Sequence, residues 1–238
     1  MRGRWRAGTA AALVIVLLFT GATFLTHSRV KKAAADRPIL LLLTSLPLVF
    51  GEKFALVQPG SPALARLRTG YEVKAIALAD RASLAGHALL LMAQPRAQTA
   101  EALVDLDAWV RAGGRVMLLA DPALEWPSER PLGDRLRPPP GFADTGLLAH
   151  WGVALSPPIR RGLVVQTADG RQVAYFSPGQ LSSTRCALDG GATIARCSIV
   201  RGRVTIVADA DLLNLDESGA EGMANLDFVM AELAALER

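Results

Sequence analysis

The chain has 238 residues, of which 51% are hydrophobic, and a formal net charge of +4. This composition argues against a disordered chain and allows one domain of about 200 residues with a real core. Residues 1–36 carry six basic residues and one acidic residue, a net +5, so the remainder carries −1. Because that remainder is nearly neutral, we expect no nucleic-acid partner.

Residues 1–36 are predicted to be a transmembrane anchor followed by a basic tether. The stretch from Ala7 to Thr26 contains no charge, and about twenty residues of helix span a bilayer core. Two alternatives are a buried helix and a cleaved signal peptide, although the small-residue site at 33–35 lies beyond three basic residues. The positive-inside rule slightly favours a cytoplasmic amino terminus. The sequence thus predicts a single-pass inner-membrane protein whose C-terminal domain, residues 37–238, is periplasmic.

The first half of that domain alternates strands with helices. Ile39–Leu43 is an unbroken aliphatic run, which is typical of a strand buried on both faces of a parallel sheet. Ser61 and Thr99 are predicted helix N-caps, and Gly70 and Gly113 lie where these helices should end. Further strands are predicted at 71–78, 87–93 and 115–120. This alternation predicts an α/β fold with a mostly parallel sheet and helices on both faces.

The second half changes character. Residues 121–141 contain six prolines and no apolar period, which predicts a long surface loop of a kind that often forms a lid. A short helix at 145–151, a hairpin at 163–177 and a second hairpin with both cysteines follow. A buried strand at 204–208 and a closing helix at 225–236 complete the domain. We therefore expect β-hairpins in the C-terminal half.

Cys186 and Cys197 are the only cysteines, and they flank a turn signal at 189–191. If residues 190–193 form the loop, the two cysteines face each other on antiparallel strands within disulfide range. The alternative is a pair of buried thiols. A disulfide would place the domain outside the cytoplasm. Two cysteines alone are too few for a metal site, and we expect no metal and no cofactor.

Four stretches of sequence together resemble a known group of proteins. The stretches are LLLLTSLPLVFGE, WVRAGGRVMLLADP, GRVTIVADADLLN and NLDFVMAEL. They resemble membrane-anchored domains with a class I glutamine-amidotransferase-like fold, of the gliding-motility-type accessory family of ABC transport systems. The resemblance implies a flavodoxin-like sandwich and an ABC transporter or envelope protein as partner. True amidotransferases place a cysteine on a sharp strand-helix turn, but the equivalent turn here, residues 92–95, reads Met-Ala-Gln-Pro, so we assign no catalytic residue.

Polar side chains follow several of the predicted parallel strands. Ligands bind open parallel sheets at the carboxyl ends of the strands. The candidate ligand-binding residues there are Ser45, Gln94, Asp121, Asp209 and Asp211, with Glu52 in the first loop. Three acids at one edge suit a cation or a basic ligand group. The alternative is structural, since Asp commonly starts turns and caps helices.

The leading functional prediction is a non-catalytic, membrane-anchored periplasmic accessory or binding domain of an ABC-type transport or envelope system. The alternative is a hydrolase that uses the carboxylate cluster at the C-terminal edge of the sheet. A dry or basic crevice with a partner-sized apolar patch would favour the first function, and an acidic crevice that binds metal with measurable turnover would favour the second. A third function, reception of a soluble ligand, requires an enclosed pocket under the proline-rich loop.

Overall fold

The computed structural model describes residues 37–51, 60–215 and 221–238. Within these ranges no helix is long and apolar enough to cross a membrane; the longest has 17 residues, fewer than the roughly 20 that a span requires. The localisation as a single-pass inner-membrane protein with a periplasmic domain is therefore wrong on this finding, and we withdraw it. The predicted anchor and tether, residues 1–36, lie outside the described residues.

The described residues include eleven strands and five α-helices, besides two short 3-10 helices at Gly190–Ala192 and Asp211–Leu213. The strands are β1 (Ile39–Thr44), β2 (Glu72–Ala75), β3 (Leu89–Ala93), β4 (Arg115–Leu119), β5 (Val153–Ser156), β6 (Leu163–Ala168), β7 (Arg171–Phe176), β8 (Gln180–Ser183), β9 (Ala187–Asp189), β10 (Ile194–Ile199) and β11 (Gly202–Val207). The helices are α1 (Pro62–Gly70), α2 (Arg81–Leu84), α3 (Ala100–Arg111), α4 (Leu147–His150) and α5 (Glu221–Glu237).

Seven of the strands form one sheet in the order β2-β1-β3-β4-β11-β10-β9. The first five run parallel to one another, while β10 and β9 continue the sheet in antiparallel fashion. The predicted mixed α/β fold with a mostly parallel sheet is therefore confirmed. Two smaller antiparallel pairs, β6 with β7 and β5 with β8, lie outside the main sheet.

Both faces of the central strands are buried, as the aliphatic run of β1 requires. Leu40 and Leu42 belong to the core that α1 and α5 cover, whereas Leu41 and Leu43 belong to the core that α2 and α3 cover. This division follows from the alternation of side chains along a strand. The helices therefore lie on both faces, and the carboxyl ends of the parallel strands meet at one edge.

Local sequence signals set the helix starts. The Ser61 hydroxyl accepts a hydrogen bond from the N–H of Leu64 at 3.1 Å, and the Thr99 hydroxyl accepts one from Ala102 at 3.2 Å. Such caps satisfy N–H groups that have no partner within the helix. Both predicted N-caps are confirmed.

The predicted disulfide is present. β9 pairs with β10 so that Ala187 faces Arg196, and the same register brings Cys186 opposite Cys197. The two sulfur atoms are bonded, with Cα atoms 4.5 Å apart. The alternative of two buried thiols is therefore wrong.

Candidate functional site

The three predicted acids lie together, but inside the protein. Asp121 follows β4, while Asp209 and Asp211 follow its neighbour β11, and their exposed fractions are 0%, 0% and 1%. Burial raises the pKa of Asp121 to about 6. Burial, together with the charges of the other two acids, raises the pKa of Asp209 well above its ordinary value. We call these residues the carboxylate cluster.

Backbone N–H groups bind each member of the carboxylate cluster. The donors, at 2.6–3.0 Å, are Ala123 and Ala210 for Asp121, Phe176 and Leu212 for Asp209, and Glu125 for Asp211. Ala123 and Glu125 belong to the proline-rich loop, and Phe176 ends β7. The cluster therefore ties that loop and the β6–β7 hairpin to the edge of the sheet. Among the described residues no group of three or more His, Cys, Asp or Glu could hold a metal ion.

Gln94 links the turn after β3 to the same loop. Its φ of +43° lies in a region that non-glycine residues rarely adopt, and the residue is fully buried. Its amide nitrogen donates to the carbonyls of Asp121 at 3.0 Å and Pro139 at 3.4 Å, while its amide oxygen accepts from the N–H of Asp121 at 3.0 Å. The Ser45 hydroxyl donates to the carbonyl of Gln94. Hydrogen bonds thus connect three of the predicted site residues.

An open crevice of about 450 Å³ lies at the carboxyl ends of β1 and β2. Its floor comes from the residues that end these strands, 44–46 and 75–77, and its rim includes Phe50. The proline-rich loop supplies one wall through Arg130, Arg135 and Leu136, and Arg96 adds to it from the segment after β3. We call this space the basic crevice.

The predicted site residues divide between two places. Ser45 lines the basic crevice, whereas Gln94 and the carboxylate cluster do not. Glu52 lies outside the described residues. The edge predicted from the strand ends therefore holds a buried anchoring cluster beside a separate open crevice.

The described lining of the basic crevice contains three arginines and no acidic residue. Arg96 donates to the carbonyl of Arg137 at 2.6 Å, which holds the loop against the crevice. Arg130 pairs with Asp134 at 3.6 Å, and Arg135 is exposed. The net charge of this wall is positive, so the crevice favours an anionic group.

Two large apolar side chains project at the crevice. Phe50 and Leu136 line it, and their exposed fractions are 79% and 66%. Sequence reasoning missed this apolar rim and the three arginines. The available signal was two arginines within a proline-rich loop that must fold over the strand ends, together with an arginine two residues after the predicted turn at Gln94.

No protein-family model matches the chain, and no curated protein matches it. Solved structures share its fold at low identity. The exo-β-1,4-mannosidase Op5Man5 from Opitutaceae bacterium strain TAV5 matches with a TM-score of 0.52 and 12% identity over 88% of this chain and 38% of its own. The mmIFT52 N-terminal domain matches with a TM-score of 0.53 and 16% identity, over 83% of this chain and 97% of its own.

Gan42B, a GH42 β-galactosidase from G. stearothermophilus, matches with a TM-score of 0.51 and 13% identity, over 85% of this chain and 30% of its own. This chain thus covers 38% or less of each of the two glycosidases but nearly all of the mmIFT52 domain. At such identities the likeness concerns the fold alone. None of the three is described as a glutamine-amidotransferase-like accessory domain, and that resemblance stays a prediction.

Proposed function

We propose that this chain is a non-catalytic binding domain with a flavodoxin-like, class I amidotransferase-like fold, which serves as an accessory in an ABC-type transport or envelope system. The order β2-β1-β3-β4-β11 of its parallel strands supports the fold, because 2-1-3-4-5 is the flavodoxin-like order. The four sequence stretches that resemble the accessory family support the partner class.

The observation that best supports a non-catalytic function is the backbone conformation and hydrogen bonding of Gln94. A nucleophile at this kind of turn needs a strained backbone that exposes its reactive atom. Gln94 has the unusual φ, but it has no nucleophilic atom, and both ends of its amide bind backbone groups of the β4 end and the loop. The turn therefore works as a structural brace.

The hydrolase alternative has no supporting observation. Acid–base hydrolysis needs carboxyl groups that reach the substrate, as in glycosidases, where two of them flank the bond that breaks. In this chain the carboxylate cluster is buried and each member accepts backbone hydrogen bonds. The glycosidase likeness covers a minority of those enzymes' chains and adds no argument for that activity.

Turnover assays test this proposal. The full chain would be incubated with L-glutamine, p-nitrophenyl glycosides and p-nitrophenyl esters, beside the variant Asp209→Asn. We expect no ammonia or nitrophenol release above the buffer blank from either protein. Release by the wild-type chain that disappears in folded Asp209→Asn protein would overturn the non-catalytic function and favour the hydrolase.

A further inference from the structure

We infer that the basic crevice binds an acidic peptide segment of a protein partner, with the peptide's carboxylates against the three arginines and an apolar side chain against Phe50 and Leu136. This inference rests on the proposed binding function. It adds the location of the site and the chemistry of the occupant.

The positive charge of the crevice wall favours an acidic ligand. Arg96, Arg130 and Arg135 line one cavity, and no described lining residue carries a negative charge. A guanidinium offers planar, paired donors that match a carboxylate. Arg135 is exposed and makes no ion pair with another described residue, so its donors are available to a ligand. Arg96 and Arg130 add positive charge to the same wall, although Arg96 also binds the carbonyl of Arg137 and Arg130 pairs with Asp134. Positive charge from three side chains favours an occupant with more than one carboxylate.

The apolar rim selects a peptide over a simple ion. Phe50 and Leu136 line the same cavity as the arginines, and both are more than half exposed. A small anion would contact only the arginines and would leave these two side chains in water, whereas a peptide can also cover them. Apolar groups next to charged ones are typical of surfaces that bind another protein. A volume of about 450 Å³ also fits one or two side chains of a partner, since organic ligand sites measure roughly 300–1,000 Å³.

The loop that carries two of the arginines is held in place before any ligand arrives. Gln94 and Arg96 bind its carbonyls at Pro139 and Arg137, and the carboxylate cluster binds its N–H groups at Ala123 and Glu125. A preorganised wall lowers the entropy cost of binding. The buried acids therefore support the crevice without touching the ligand.

Nucleic acid is a poorer occupant. Residues 37–238 carry a net charge of −1, whereas nucleic-acid binding draws on an extended basic surface. The described crevice also offers a single aromatic ring, that of Phe50, while single strands are bound by several stacking platforms. The local positive charge suits a short acidic segment.

Selection from a displayed library of random peptides tests the inference. The full chain would be the bait, and selected peptides would be synthesised and their Kd measured by fluorescence anisotropy. We expect the selected peptides to combine Asp or Glu with a large apolar residue. Their affinity should fall as salt rises, because exposed ion pairs are screened.

Matched variants locate the binding site. Arg135→Gln and Phe50→Ser alter exposed side chains of the crevice, while Arg201→Gln alters an exposed arginine in the β10–β11 turn, at the opposite edge of the sheet. We expect each crevice variant to weaken binding roughly tenfold, as a lost charged hydrogen bond or apolar anchor would. The control should bind like the wild-type chain, and thermal unfolding should verify that all variants fold.

Three results would overturn the inference: selected peptides without acidic residues, equal binding by the crevice variants and the control, or competition by inorganic phosphate or acetate as strong as that by the peptide. The last would indicate a small-anion site. Failure of peptide binding with no enzymatic turnover would refute this site and leave the non-catalytic function standing. Enzymatic turnover by the wild-type chain that is lost in Asp209→Asn would refute the non-catalytic function itself.

Discussion

Replacing Asp121 by Asn removes a buried ionisable group while nearly keeping its shape. Burial raises the pKa of this carboxyl from 3.8 to about 6, although hydrogen bonds from Ala210 and Ala123 partly oppose the shift. Because the folded protein holds the proton more tightly than the unfolded chain, Asp121 contributes most stability below its unfolded pKa. That contribution is lost as the pH rises through about 6.

The magnitude follows from the shift and from the hydrogen bonds. A shift of about 2 pKa units corresponds to roughly 3 kcal/mol between low and neutral pH. Asn avoids this ionisation cost, but it has one acceptor oxygen where Asp121 uses two, for Ala123 and Ala210. One N–H group loses its acceptor, at a cost of about 1–3 kcal/mol. Near neutral pH the difference between the two effects leaves Asp121→Asn between as stable as wild type and about 2 kcal/mol more stable.

Urea unfolding at about pH 4 and about pH 7.5 measures the difference between variant and wild type. At the higher pH we expect Asp121→Asn to be as stable as wild type or up to about 2 kcal/mol more stable. At the lower pH we expect it to be less stable than wild type by roughly 1–3 kcal/mol. Asp144→Asn, at an exposed acid, controls for loss of a surface charge. Peptide binding should stay intact, since Asp121 does not line the crevice. An unchanged difference across this pH range would refute the buried ionisation.

Three further sets of substitutions test a close backbone contact, a buried ion pair and the disulfide, all away from the basic crevice. A Cβ at Gly202 would lie 2.0 Å from a backbone carbonyl oxygen of α3, so Gly202→Ala should lower the free energy of unfolding by about 3 kcal/mol in urea titrations. Arg196 binds Glu232 at 2.5 Å, and Arg196→Met should cost about 3–5 kcal/mol by leaving that buried charge unpaired, with partial rescue when Glu232→Met is added. The oxidised native protein should show no free thiol by titration, and replacing Cys186 and Cys197 by Ser should lower the free energy of unfolding by about 3 kcal/mol.

Sequence patterns predicted the central strands because burial on both faces leaves a continuous aliphatic run. The predicted ranges of β1, β3 and β4 agree with the structure to within two residues. The pairing of β5 with β8 was missed. Each of these strands has four residues, and 23 residues separate Ser156 from Gln180, its partner, so no local turn signal connects them.

The candidate site was predicted only in part. The positions of the strand ends correctly predicted that Asp121, Asp209 and Asp211 lie at one edge of the sheet. Strand order does not determine whether such side chains face solvent or accept hydrogen bonds from backbone N–H groups inside the protein. The position of Arg135 depends on the path of a loop without hydrophobic period. That path is fixed by long-range hydrogen bonds such as the one from Gln94 to Pro139, and no spacing in the sequence encodes it.

Site-specific photocrosslinking in the producing cell tests the central claim most directly. A benzophenone amino acid would replace Phe50, with position 201 as the control, and crosslinked products would be identified by mass spectrometry. We expect position 50 to capture an acidic segment of an ABC-type transport or envelope component, with the yield reduced by Arg135→Gln and position 201 giving no such product. Equal yields with and without Arg135, or capture of that component from position 201 alone, would contradict a binding domain that acts through this crevice.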